Sequence, residues 1–279
     1  MRHAVFLPPF DDLAEPPVLV DVARLAEDRG WDGVFLWDHV QRAEVRPVAD
    51  PWICLAAVAA TTSRILLGPM VTPLVRRRPQ KLAREVVTLD RLSGGRLVLG
   101  IGLGVDSGRE LSAFGEVVDA AERGRMLDEG LEVLCGLLSG EAVHHAGPHY
   151  TADGVRFLPT PVGPGGVPMW LAARTTARAP LRRAARHDGV FFIENGPEAI
   201  AEMLGWVGEQ RRALGRGGDS GLEGFDVAAA GPGIGGGDAR DDHDPDRFAA
   251  AGVTWWMTSF RPGDALGAVL DRIAEGPPV

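Results

Sequence analysis

Trp37, Asp38 and His39 form the most chemically suggestive run in the chain. Histidine titrates near neutral pH, so at a pocket mouth it can act as general base or acid, or donate a hydrogen bond to a ring cofactor. By position alone, the run reads equally well as a loop histidine held by its neighbouring aspartate. A second candidate is Ala172, Ala173, Arg174, Thr175 and Thr176, which lead into a helical segment. Hydroxyls and free backbone N–H groups at a helix start, with an arginine beside them, suit a phosphate. A threonine there also suits helix capping, and the two uses are compatible. Arg76, Arg77 and Arg78 precede Pro79 at another helix start, where contact with an anionic group and a solvated basic loop are both open. His144, His145 and His149 cluster among turn residues without a carboxylate ligand pattern, so no metal is expected.

Such residues need a scaffold, and the spacing of apolar residues supplies one. Two apolar runs, Ile65 to Val71 and Leu97 to Ile101, flank a helix that starts at Pro79 and places Leu82, Val86, Leu89 and Leu92 on one face. That is a β-α-β unit, and fully apolar strands imply a parallel sheet covered by helices. The alternation recurs. Further strands are expected at His3–Leu7, Gly33–Trp37, Val167–Ala172, Gly189–Ile193, Phe225–Ala230 and Val253–Met257. Helices are expected after Leu7, from Trp52 to Thr62, from Ala121 to Leu138, up to Arg186, from Pro197 to Leu214 and from Gly263 to Ala274. Residues 141–166 lack a helical period and read as a hairpin and connecting loop inserted before strand five. Eight units in 279 residues make an α/β fold of the (β/α)8 TIM-barrel type the leading expectation, as one domain over residues 1–279. An open doubly wound sheet is the alternative. In a barrel, Asp38, His39, the GPMVTP segment and the GIGLG segment would share the C-terminal mouth.

Composition narrows the function. A net charge of -9 argues against nucleic acid as the main partner and favours a small-molecule substrate. No run approaches a membrane span or a cleavable leader, and Cys54 and Cys135 lack metal or redox spacing, so a cytoplasmic protein is expected. Lys81 is the only lysine, which argues against Schiff-base chemistry at the mouth. Gly100 to Gly104 lacks the third glycine of a dinucleotide fingerprint. The glycine-rich stretch after Ala230 is too acidic to suit phosphate and reads as a mobile loop.

Taken together, WDGVFLWDHV, RRRPQKLAREVVTLDRLSGGRLVLGIGLG, ERGRMLDEGLEVL, GPHY, PTPV and RRAARHDGVFF resemble, in order and spacing, the luciferase-like monooxygenase superfamily of flavin and deazaflavin barrels. The resemblance implies a homodimer that binds coenzyme F-420 or FMN at the C-terminal mouth, with a separate flavin reductase as partner if FMN is used. It implies that Asp38 and His39 lie at the cofactor, with His39 catalytic and taking a hydroxyl proton as hydride leaves. It further implies a non-proline cis peptide in Met70, Val71 and Thr72 behind the cofactor ring. Gly102, Leu103 and Gly104 match a cofactor-facing loop, and Ala173, Arg174, Thr175 and Thr176 a phosphate loop. The expected activity is hydride exchange with a small organic substrate, leaning to F-420. An FMN-dependent monooxygenase is the first alternative and a non-catalytic flavin-binding barrel the second. The sugar-phosphate dehydrogenases of this family carry a glutamate and a tryptophan where this chain has Val105 and Ala43, and grip phosphate with lysines. A sugar phosphate is therefore not the expected substrate.

Overall fold

The computed structural model describes residues 1–163, 165–231 and 244–278. Its strands are β1 (Arg2–Leu7), β2 (Gly33–Leu36), β3 (Leu66–Pro69), β4 (Thr72–Pro73), β5 (Leu99–Gly102), β6 (Ala142–Ala146), β7 (Thr151–Arg156), β8 (Met169–Ala173), β9 (Gly189–Phe192), β10 (Asp226–Ala230) and β11 (Trp255–Ser259). Its helices are α1 (Pro16–Asp28), α2 (Pro51–Thr61), α3 (Pro79–Ser93), α4 (Ala120–Ser139), α5 (Arg178–Ala185), α6 (Pro197–Ala213), α7 (Pro245–Ala250) and α8 (Leu266–Ala274).

Nine parallel strands run in the order β3-β2-β1-β11-β10-β9-β8-β5-β4. The two ends of that series, β3 and β4, are consecutive pieces of one path, so the sheet is a ring and the fold is a (β/α)8 barrel. Where the sequence predicts one strand from Ile65 to Val71, the path is broken at a cis peptide between Met70 and Val71. Both pieces face β5. Thr72 pairs with Ile101 and Pro73 with Gly102, while Leu67 bridges Leu97. The hairpin β6-β7 is antiparallel and sits between α4 and β8, where the insertion was expected.

Alternation along each strand separates two cores. Ala4, Phe6, Phe35, Trp170, Trp255 and Met257 point into the barrel, whereas Val5, Leu7, Val34 and Leu36 point out to the helices. Inside, Trp170 packs on Trp255 at 5.4 Å and on Phe35 at 5.5 Å, filling the end away from the mouth. Leu92 departs from expectation and is half exposed, because a second successive step of three drifts off the helical face and the buried position passes to Ser93. The short helix α7 was not anticipated; six residues carry too little periodicity to register.

Ring closure depends on a glycine. A Cβ at Gly68 would lie 1.8 Å from the carbonyl oxygen of Val98, the residue whose N–H donates to Leu67 at 2.9 Å. Alanine at Gly68 is therefore expected to destabilise the fold by about 1–3 kcal/mol or more, because backbone must move to admit it. A lower midpoint in urea unfolding checks this, and an unchanged midpoint would remove Gly68 from the closure.

Candidate active site

The C-terminal ends of the strands surround a cavity of about 1220 Å³. Every strand of the ring reaches it by its own residues or by the one that follows, from Phe6 of β1, Trp37 after β2 and Met70 after β3 to Pro73 of β4, Gly102 of β5, Ala172 of β8 and Ser259 of β11. Its floor is aromatic: Phe6 lies 5.6 Å from Trp37 and 5.5 Å from Phe191. Glycine brings β5 close to the third strand path, since a Cβ at Gly102 would come within 2.5 Å of Val71.

His39 follows β2 and lines this cavity. Its Nδ1 lies 2.8 Å from Glu110 Oε2, while Val40 N–H donates to Glu110 Oε1 at 2.8 Å. Arg76 Nη1 also donates to Oε1, at 3.2 Å. Burial alone pushes the Glu110 carboxyl up, but the His39 hydrogen bond and charge, the Val40 N–H and Arg76 outweigh it and hold it below the ordinary carboxylate range. An ionised Glu110 only accepts, so Nδ1 carries a proton and donates it. In the neutral form of the ring the lone pair is then on Nε2, to which no described residue hydrogen-bonds. This arrangement can accept a proton from a hydroxyl in the cavity.

Asp38, beside it, is buried and already saturated. Arg76 Nη2 donates to its Oδ1 at 2.8 Å, and Arg77 Nη2, Thr72 Oγ1 and Trp52 Nε1 donate to its Oδ2 at 3.0, 2.7 and 3.3 Å. The carboxylate anchors the loop that carries His39 to the third strand path and to α2. Arg76 and Arg77 thus answer the open question at Pro79: they meet anionic groups, but these belong to the protein.

Arg123, in the first turn of α4, is only 7% exposed and lines the cavity. Its Nε and Nη1 are buried without a hydrogen-bond partner. Its charge acts on Asp106, but two buried guanidinium nitrogens left without hydrogen bonds are costly, and their place at a cavity wall suits an anionic ligand. Arg174 and Thr175 line the same cavity; Arg174 pairs with Glu194 at 2.6 Å. Thr175 Oγ1 accepts from the N–H of Ala177, which is the cap residue of α5.

A family model described as luciferase-like monooxygenase matches residues 1–240. The chain belongs to that family. Among curated relatives, it is 34% identical over 186 residues to the F420-dependent glucose-6-phosphate dehydrogenase of Nakamurella multipartita, covering 65% of this chain and 53% of that protein. It is 35% identical over 187 residues to the protein of that name from Nocardia farcinica, covering 65% and 54%. The chain spans about half the length of the curated relatives it matches. Among solved structures, an F420-dependent secondary alcohol dehydrogenase in complex with an F420-acetone adduct superposes with a TM-score of 0.81 at 17% identity, over 99% of this chain and 98% of that one. The coenzyme F420 dependent tetrahydromethanopterin reductase from Methanopyrus kandleri gives 0.76 at 20% identity, over 98% and 97%.

Of the residues the luciferase-like resemblance singled out, the barrel brings Asp38, His39, Met70, Val71, Gly102, Leu103, Gly104, Arg174 and Thr175 to the cavity. Three are not brought there. Thr72 is fully buried against Asp38, Ala173 points to the outer core while Ala172 faces inward, and Thr176 lies outside the lining. For Thr72 and Ala173 the reason is strand parity: neighbouring residues face opposite sides. Sequence reasoning missed Glu110 and Arg123. Val105 suggested that the family's acid is lacking, yet Glu110, five residues on, supplies a carboxylate against the histidine. Among the tryptophans near the strand ends, only Trp37 lines the mouth. Trp52 and Trp256 pack outward and Trp255 fills the far end. His145 and His149 secure the hairpin to α4: His145 Nε2 is 3.0 Å from Glu129 Oε1, which also accepts from the N–H of Tyr150 at 2.8 Å. The glycine-rich stretch after Ala230, expected to be a loop, lies largely outside the described residues.

Proposed function

We propose that this chain is an oxidoreductase that uses coenzyme F-420 to exchange hydride with a small organic substrate carrying a hydroxyl or carbonyl group. The observation that carries this reading is His39, held through Nδ1 by Glu110 and free at Nε2 on the cavity wall. The cavity fits the cofactor. Arg123, through the nitrogens that lack hydrogen bonds, with Arg174 and Thr175, would hold its phosphate, and the exposed Arg42 and Arg261 at the rim would meet its anionic tail. Gly102, Leu103 and Gly104 on one side and Met70 and Val71 on the other would flank its ring. When bound, the deazaflavin supplies the hydride chemistry.

The protein's part is proton transfer, orientation and exclusion of water. His39 Nε2 takes the substrate hydroxyl proton during oxidation and returns it during reduction, while Glu110 stabilises the imidazolium that forms in between. Phe6, Trp37 and Phe191 give the substrate an apolar floor, and the scarcity of lysine supports a substrate other than a sugar phosphate. Support for F-420 over FMN comes from the names of the curated relatives and from the Asp38-His39 pair. One barrel domain over residues 1–279 and a cytoplasmic setting are the expected context on composition and pattern, and a homodimer on the family resemblance; no helix among the described residues is long and apolar enough to cross a membrane.

Titration of the purified protein with each cofactor tests the proposal. Tighter binding of F-420 than of FMN is expected. The reverse order would overturn the preference and point to reduced flavin and oxygen, with a partner reductase. Binding without turnover across alcohols and ketones would favour a ligand-retaining barrel.

A further inference from the structure

We propose that Arg76 is the positioning residue of this site: by bridging Asp38 and Glu110 it holds His39 in its working orientation and takes up part of the charge that Glu110 presents to the ring. The assignment rests on the role of His39 proposed above. Three acceptors converge on one planar fork. Arg76 Nη2 donates to Asp38 Oδ1 at 2.8 Å and to the Asp38 carbonyl at 3.1 Å, and Nη1 donates to Glu110 Oε1 at 3.2 Å. The side chain of Arg76 is 9% exposed and those of Asp38 and Glu110 are 1% and 4% exposed, so water competes little for these bonds. Asp38 directly precedes His39 in the chain, and Glu110 binds its Nδ1. The residue therefore grips the histidine from both directions, along the backbone and through the ring. It also joins three separate segments: the loop after β2, the loop after β5 and the turn before α3.

The charge arithmetic follows from the same contacts. Around the imidazole stand Glu110 from the loop after β5, Arg76 from the turn before α3, and Asp38 from its own loop, while Arg42 of that loop is exposed at the cavity rim. Phe10 and Trp37, at 6.0 and 5.8 Å, are uncharged. Arg77 binds the other oxygen of Asp38 and reaches Glu85 at 3.5 Å, away from Glu110. Arg76 is thus the guanidinium shared by both carboxylates. Removing it would let Glu110 act more strongly on the ring and favour the protonated imidazole. Lysine would keep the charge but lacks the fork that spans the three acceptors.

The test is an NMR pH titration of the His39 ring in the protein without cofactor or substrate, so its outcome is separate from any failure of the oxidoreductase reading. In Arg76→Gln the midpoint should move up by about one pH unit. In Glu110→Gln it should move down, and in Arg42→Gln, which removes an exposed charge from the same loop, it should stay. Should Arg76→Gln fail to fold, Glu110→Gln and Arg76→Lys decide. Arg76→Lys should keep the midpoint while kcat falls about tenfold at unchanged KM, as expected of a misaimed base. An unmoved midpoint in Arg76→Gln or in Glu110→Gln, or full kcat in Arg76→Lys, would overturn the proposal.

Discussion

Alanine in place of His39 is expected to lower F-420-dependent turnover by about 10²- to 10⁴-fold, the usual worth of a positioned general base. The loss should fall on kcat and kcat/KM together, because the proton moves only as the hydride does. The geometry makes the expectation sharp. With Nδ1 committed to Glu110 at 2.8 Å, a single ring nitrogen faces the cavity, and no described side chain stands ready to replace it there. Steady-state kinetics on a panel of small alcohols and ketones is the measurement. Turnover at the parental rate would remove His39 from proton transfer.

Arg123→Met should have the second-largest effect, and it should act in two directions. In the cofactor-free protein the change replaces a buried guanidinium with unpaired Nε and Nη1 by an apolar side chain of similar length. Thermal stability should stay level or rise, since an unsatisfied buried charge is lost. Affinity for coenzyme F-420 should fall by about 30-fold or more, the cost of about 2 kcal/mol or more for truncating one side of a buried charge pair. The phosphate-free deazaflavin riboside should bind parent and variant alike, which isolates the phosphate contact in a cycle of four affinities. Equal losses for both ligands would mean that Arg123 shapes the cavity and does not hold phosphate. A fall in the melting temperature of the free protein would mean that it has a structural partner.

The barrel was legible because strands buried on both sides read as unbroken apolar runs, and each ends where a turn residue or polar group begins. His39 was legible for the same reason: it closes such a run. Glu110 was not. It lies in an aperiodic loop, and its partner is 71 residues away. A carboxylate in a loop reads the same whether it faces solvent or a histidine. Arg76 posed the converse problem, since three arginines before a helix read alike as a solvated patch or an internal clamp. The clamp exists only because Asp38 and Glu110 fold back onto it. Thr72 and Ala173 show a finer limit: resemblance locates a loop to within a residue or two, whereas strand parity makes one residue the difference between cavity and outer core.

Of the seven tryptophans, only Trp37 lines the mouth cavity among the described residues. The floor that shapes the substrate therefore also carries an optical reporter. Emission from Trp37 should respond to whatever enters the mouth, while the remaining indoles supply a steady background. The protein can accordingly be screened for ligands by its own fluorescence, without a label and without an activity assay.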